Sequence, residues 1–425
     1  MTAALLALNR RTFLSLHKYR NYRYYFAGQV VSLTGTWMQR AAQSWLVLVL
    51  THSPVAVGIL VLASFLPFTL FTLFAGVWID RLDARRVVIA TQAAQMALSA
   101  ALAADALLGA VQPWHVYVFA FLTGAVTVLD APARQALTYR MVGPRELPNA
   151  VALNSSLFNG SRVFGPALAG VILAAFSAGV CFVVNAVSFL AVLVGLLLMR
   201  PDEFHPVERR EPPRMWNGIV EGLRYVRRER DPLVVLVVIT IVSTLCFNFP
   251  VLLPVLARQT LHAGPQTFGA LMAVFGAGAL AGALFAASIG RASLKLFLIG
   301  SLGFCGAQIA LAPLRSTIAA GILLFATGAF FTTWTSASNS TLQLDAPDHL
   351  RGRVVSLFYY AFNGLAPLGG LLAGWLTSVG GTQLAFASTG VVGVGSTVLA
   401  ALFVRRSRVG TAAAVVPEQP DQLAA

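Results

Sequence analysis

The sequence predicts an all-α membrane protein of about twelve transmembrane helices in two pseudo-symmetric six-helix bundles, and three observations carry that prediction. The first is composition: of 425 residues, 57% are hydrophobic and 11% charged, with a mean hydropathy of +0.75. Soluble chains carry about a quarter charged residues, so this one is built for a bilayer. The second is run length. Apolar stretches of about 20 residues between basic loops fit helices, whereas barrel strands would alternate in a two-residue period over about ten residues. The third is a repeat: FNGSRVFGPALAG at Phe158 to Gly170 returns as FNGLAPLGGLLAG at Phe362 to Gly374, 204 positions later. The same offset pairs Val151 with Val355 and Leu153 with Leu357, as a duplicated unit would.

Residues 1–23 hold Arg10, Arg11, Lys18, Arg20 and Arg23 and no acid. The run from Asn9 to Leu14 superficially resembles a twin-arginine export signal, but such a signal needs an uninterrupted apolar core, and Lys18, Arg20 and Arg23 interrupt this one. The segment reads as a basic cytoplasmic arm. Six spans follow in residues 24–199, at about 24–50, 55–79, 87–110, 114–138, 150–176 and 179–199. Residues 200–232 form a polar linker whose second part, from Met215, is amphipathic; a membrane-surface helix and a solvated helix both suit it. Six more spans fill residues 233–404, at about 233–257, 266–289, 296–313, 317–340, 354–379 and 382–404, and 405–425 is a tail.

Basic residues concentrate in cytoplasmic loops. With both termini inside, and Arg134 counted with its adjoining loop, 26 of the 30 Lys and Arg fall on the cytoplasmic side, and the outer loops hold only Arg258 and Arg315. The net charge of +14 is therefore a product of topology, and nucleic acid has no place in the account. A multi-pass protein of the cytoplasmic (inner) membrane is expected, acting as a monomer.

Arg40 and Arg162 remain at membrane depth, where ionisable groups cost several kcal/mol and mark function. Arg40 belongs to a stripe of Gln29, Ser32, Thr36, Gln39 and Gln43, and Arg162 to one with Ser155 and Asn159, each at helical spacing. These stripes are expected to line a water-accessible site between the halves; polar packing between helices is the competing reading. At matching depth the second half offers Asn248, Trp334, Tyr360 and Asn363 and no cation. The predicted cavity is lopsided, with one wall for an anionic or strongly hydrogen-bonding end of a ligand and the other for an apolar or aromatic body. The spans hold only two acids, Asp105 near an outer end and Asp130 near an inner one, with Arg134 four residues on for an intrahelical ion pair.

The histidines lie in loops or at span ends, and Cys181, Cys246 and Cys305 in separate apolar runs, so neither a metal site nor a cofactor is expected, and a membrane-embedded enzyme is disfavoured. A non-transporting membrane sensor is the alternative from another class; its cheapest discriminator is a sizeable soluble domain, and no segment is long enough for one.

The loop Gly76-Val77-Trp78-Ile79-Asp80-Arg81-Leu82-Asp83-Ala84-Arg85-Arg86 resembles the cytoplasmic signature of the major facilitator superfamily. The resemblance implies that Gly76 permits close helix approach and that Asp80, Arg81 and Arg85 latch the halves in the outward-open state, with Asp130 as the acid that Arg81 or Arg85 meets. Asp83 and Ala84 depart from the pattern, and the second half keeps only Gly282 and Arg291, with Ala286 in place of the acid. Asp130-Ala131-Pro132-Ala133-Arg134-Gln135, Leu147-Pro148-Asn149-Ala150 and the span with Gly165, Pro166 and Gly170 resemble the bacterial efflux branch related to enterobactin exporters. Proline removes a backbone donor and glycines remove side chains, so that last span should be bent and tightly packed in any case. What the resemblance implies is a secondary transporter that exports a small amphipathic molecule, drug-like or siderophore-like, by alternating access driven by protons. An uptake permease or uncoupled facilitator is the alternative.

Overall fold

A computed structural model describes residues 12–79, 82–206, 215–289, 293–347 and 350–413, and among them there is helix but no strand. The first half contains α1 (Leu14–Lys18), α2 (Arg20–Thr51), α3 (Pro54–Ile79), α4 (Ala84–Leu107), α5 (Pro113–Ala175) and α6 (Ala178–Leu197). Helix α5 is two antiparallel arms that turn at Gly143, whose φ of 69° suits glycine and whose neighbour Pro144 cannot continue the first arm's hydrogen bonds. The second half contains α7 (Met215–Arg228), α8 (Arg230–Cys246), α9 (Phe249–Val255) with a π-helical turn at Leu256–Thr260, α10 (Pro265–Ile289), α11 (Leu294–Leu311), α12 (Thr317–Asp345), α13 (Arg351–Asn363) and α14 (Ala366–Ala413), which turns back at Gly380 and Gly381.

Among the described residues nine helices are long and apolar enough to cross a membrane. Helix α2 has the length but carries Gln29, Ser32, Gln39, Gln43 and Ser44 buried along it. Buried polar groups need partners, and these find some inside the first half: Asn185 of α6 donates to Gln39 (2.8 Å) and to Ser99 of α4 (3.3 Å).

Two expected single spans are broken. The seventh stops at Phe247, and Asn248 donates its Nδ2 to the carbonyls of Thr244 (2.8 Å) and Leu245 (3.0 Å), satisfying backbone acceptors at the end of α8. Pro250 at the start of α9 has no N–H to carry the ladder across. The eleventh is interrupted between α13 and α14 at Gly364 and Leu365.

The amphipathic part of the linker forms a helix held to the second half. Helix α7 packs on α8 and α13, with Val226 fully buried, Tyr225 donating to the Asp345 carbonyl (2.6 Å) and Glu221 paired with Arg353. At the other end of the chain, α1 is tied to the first half by Lys18–Glu146 (2.9 Å).

Asp83, a departure from the signature loop, has two tasks: it caps α4 by accepting from the Arg86 N–H (3.0 Å), and it pairs with Arg140 (2.8 Å). Partial burial pushes its carboxyl up, but the Arg140 hydrogen bond and the Arg86 N–H outweigh this and hold it below its ordinary value. A depressed carboxyl stabilises the fold above its unfolded-state pKa and ceases to do so as pH falls through the folded one. Asp83→Asn keeps the cap and removes the charge, so it should cost about 0.2–1 kcal/mol at neutral pH, with the gap closing below about pH 4. Thermal unfolding of the two proteins across that range is the measurement.

Candidate functional site

Polypeptide direction defines two faces of the bundle: the linker side, where residues 200–232 join the halves, and the far side, where α2 hands over to α3. Among the described residues, contacts between the halves gather on the far side, in two crossings whose α5 and α14 members are related by the 204-residue offset. At one, a Cβ on Gly58 of α3 would lie 2.6 Å from the Gly370 carbonyl oxygen of α14; at the other, a Cβ on Gly269 of α10 would lie 2.6 Å from the Pro166 carbonyl oxygen of α5. Pro166 and Gly370 are 204 positions apart. One turn further out, Gly374 lies against Pro54 and Gly170 against Pro265, again in matching pairs. Backbones this close leave room for no side chain. The hydrogen bonds between the halves among the described residues follow the same seam: Thr69 donates to the Gly364 carbonyl (2.8 Å), and Gln259 to that of His52 (3.4 Å).

Beneath this closure lie both membrane-depth arginines, arranged about Trp37 of α2. The Arg40 guanidinium stands 5.3 Å from the Trp37 ring centre and the Arg162 guanidinium 5.4 Å from the same centre. Arg162 also reaches into the second half, over Phe331 of α12 (5.3 Å), Phe275 of α10 (5.8 Å) and Phe247 at the α8 break (6.0 Å). Phe247 and Phe331 stack on each other at 4.4 Å and 7°, and Phe158 meets Trp37 edge-on at 5.5 Å. Two glycines set this up. A Cβ on Gly165 would meet Trp37 Cβ at 2.6 Å, so its absence lets α5 close on α2, and Gly276 lets α10 approach the Arg162 carbonyl, 2.9 Å from where its own Cβ would stand.

Each cation–ring contact contributes about 0.5–1 kcal/mol, and about 2 where desolvated. That falls short of replacing an anion. Among the described residues neither Arg40 nor Arg162 has an acidic partner or a side-chain hydrogen bond, and both acids of the spans are taken: Asp105 by His115 (2.7 Å) and Asp130 by Arg134.

The remaining expected site residues divide. Asn159, Tyr360 and Asn363 stand on the linker-side arms of α5 and α13, with Asn159 donating to the Ser155 carbonyl (2.9 Å), Asn363 to that of Tyr359 (3.3 Å), and Tyr360 40% exposed. Gln43 is buried one turn beyond Arg40, its Nε2 without a partner. Three residues belong to packing and correct the expected lining: Gln39 is held by Asn185 inside the first half, Asn248 caps α8, and Trp334, 0% exposed, stacks on Phe304 at 5.6 Å in the core of the second half. Helical spacing alone cannot separate a stripe facing a cavity from one facing a neighbouring helix.

Of the expected latch, Asp80 and Arg81 lie outside the described residues, and Gly76 sits in α3 where the surroundings are likewise outside them. Arg85 does not meet Asp130. It donates from Nε (3.1 Å) and Nη2 (2.8 Å) to the Leu196 carbonyl at the end of α6, where helix carbonyls lack intrahelical donors. Asp130 accepts from Thr91 (2.6 Å) and Gln92 (3.1 Å) at one oxygen and from Arg134 at the other, while Arg134 also donates to Gln29. The intrahelical pair is thus the centre of a buried network joining α2, α4 and α5. Gly165, Pro166 and Gly170 line α5 on its crossings, as close packing requires.

Comparison with known proteins agrees with this architecture. Residues 13–423 match the family model described as transmembrane secretion effector. The staphyloferrin A transporter of Staphylococcus aureus is 24% identical over 373 residues, which cover 87% of this chain and 92% of that relative. The multidrug efflux pump Tap of Mycolicibacterium fortuitum is 28% identical over 354 residues, covering 80% and 85%. Among solved structures, a POT family transporter in complex with 5-aminolevulinic acid superposes with a TM-score of 0.72 at 13% identity, over 91% of this chain and 96% of that one. The nucleoside transporter NupG gives 0.68 at 12%, over 90% and 96%; both likenesses bear on the fold alone. A multi-pass helical membrane protein whose relatives are transporters, and not an enzyme, the chain belongs to the transmembrane secretion effector family, in the bacterial efflux branch of the major facilitator superfamily.

Proposed function

We propose that this protein is a twelve-span secondary transporter that exports a small amphipathic molecule across the cytoplasmic membrane by alternating access, driven by proton entry, with both termini in the cytoplasm. The observation that carries the reading is Arg162: a cation at membrane depth, on the seam between two halves that meet backbone to backbone on its far side. Two related halves around a mid-membrane site, with one of its walls a helix that breaks off after Phe247, is the arrangement that alternating access uses. In this reading the described state is closed outward and open to the cytoplasm. Relatives named as efflux pump and siderophore transporter support the drug-like or siderophore-like cargo.

Everted membrane vesicles containing the protein should accumulate fluorescent amphipathic dyes when acidified inside, and collapse of the gradient should stop them. Arg162→Ala should lower that accumulation at least about tenfold, as loss of an interaction with a charged group does. Accumulation indifferent to the gradient would favour an uncoupled facilitator, and accumulation by intact cells an uptake permease.

A further inference from the structure

We infer that the transported molecule is an organic anion, its carboxylate-type group held between Arg40 and Arg162 beside Trp37 and its apolar body laid against Phe247, Phe275 and Phe331. The inference rests on the transport reading and supplies the substrate class which that reading leaves open.

It follows from charge. Asp130 and Arg134 neutralise each other, as do Asp105 and His115 when the imidazole is protonated, but Arg40 and Arg162 bring two positive charges to one indole ring without an acid between them. Two guanidinium groups each within 5.4 Å of one ring centre stand no more than about 11 Å apart, and at the effective dielectric of a protein they repel by at least about 1.5 kcal/mol. Aromatic faces soften this and do not cancel it. One anion placed between the guanidinium groups turns the repulsion into two attractions. Arginine's planar fork is matched to the two oxygens of a carboxylate, and no side-chain hydrogen bond among the described residues occupies either fork. The three phenylalanines supply no hydrogen bond of their own and suit an aryl or alkyl body. A cationic amphiphile of the same shape would meet two uncompensated charges and be refused.

The experiment uses the full-length protein in phosphatidylcholine nanodiscs at neutral pH, so that the lipid adds no net charge. Titration calorimetry compares three probes of one shape: 2-naphthoate, 2-naphthamide and 2-naphthylmethylammonium. Naphthoate should bind at least about tenfold more tightly than the amide, and the ammonium should bind least. Arg162→Gln and Arg40→Gln should each erase most of that preference, while Arg162→Lys keeps part of it. Unfolding temperature and elution volume establish that each variant is folded. If Arg162→Gln is not, the lysine variant and Arg40→Gln decide the matter. Naphthamide within about twofold of naphthoate, tightest binding by the ammonium, or no naphthoate binding at all would overturn the inference and leave a cage that serves packing only. Dye transport by everted vesicles of the same wild-type protein tells the two readings apart. Transport without anion preference sinks only this inference, and anion binding without transport sinks only the exporter.

Discussion

Valine at Gly58 or at Gly269 is expected to abolish most transport by holding the far side of the molecule open. A Cβ at either glycine would stand 2.6 Å from a carbonyl oxygen of the other half, Gly370 in one case and Pro166 in the other, and backbone cannot turn aside as a flexible side chain can. If the far side opens by alternating access, as proposed, these contacts belong to the far-side-closed state alone. In a two-state transporter the clash therefore falls on one state and spares the other, and the population moves by the full difference. Overpacking a well-packed contact costs about 1–3 kcal/mol, enough to shift the equilibrium about 5- to 150-fold. Spin-label distances between the far-side ends of α3 and α14 should lengthen, and turnover should fall at least about tenfold. Gly160→Ala is the control, since a Cβ there meets nothing within 4 Å on the same helix that carries Pro166. Unchanged distances in both valine variants would mean that the crossings are incidental to the transport cycle.

The equivalence of the two crossings shows how far the sequence could be read. Composition and run length were enough for helices, and the repeat that starts at Phe158 and Phe362 contains Pro166 and Gly370, the residues that meet the partner half. Proline and glycine chemistry indicated a tightly packed α5 but not what it packs against, because the other partner, Gly269, lies outside both the repeated segment and the faded loop motif at Gly282 and Arg291. Arg162 was legible because charge at membrane depth is costly wherever it occurs. Its cage was not. Trp37, Phe247, Phe275 and Phe331 come from three further spans plus the break after α8, and one aromatic among 28 phenylalanines carries no signal of its own. The one local hint is Trp37 itself, three residues before Arg40 and so on the same helical face. Gln39, Asn248 and Trp334 were misplaced for a related reason: residues that satisfy a backbone or fill a core recur at the same spacing as residues that line a path.

Asp130→Asn is expected to destabilise the protein severely without itself removing the coupling to protons. Both oxygens of Asp130 are engaged, one by Thr91 and Gln92 and the other by Arg134, with the residue 4% exposed. Asparagine keeps a similar shape but leaves Arg134 charged among neutral partners, Gln29 and Tyr25, and removing one member of a buried ion pair costs about 3–5 kcal/mol. Replacing both members avoids the stranded charge, so Asp130→Asn with Arg134→Gln should recover most of the loss, and a double-mutant cycle on unfolding in detergent measures the recovery. The same pair of variants separates structure from proton carriage. A carboxyl that shuttles protons must be free to lose and regain its partner, whereas this one sits in a network that ties α2, α4 and α5 together on the linker side of the first half. If the network is structural, the doubly substituted protein, once folded, still concentrates dye against an imposed proton gradient. Transport that persists but ignores the gradient in that protein would instead make Asp130 the carrier, and the short chain of partners around it would be the route by which its charge state reaches α2 and the arginine that shares that helix with Trp37.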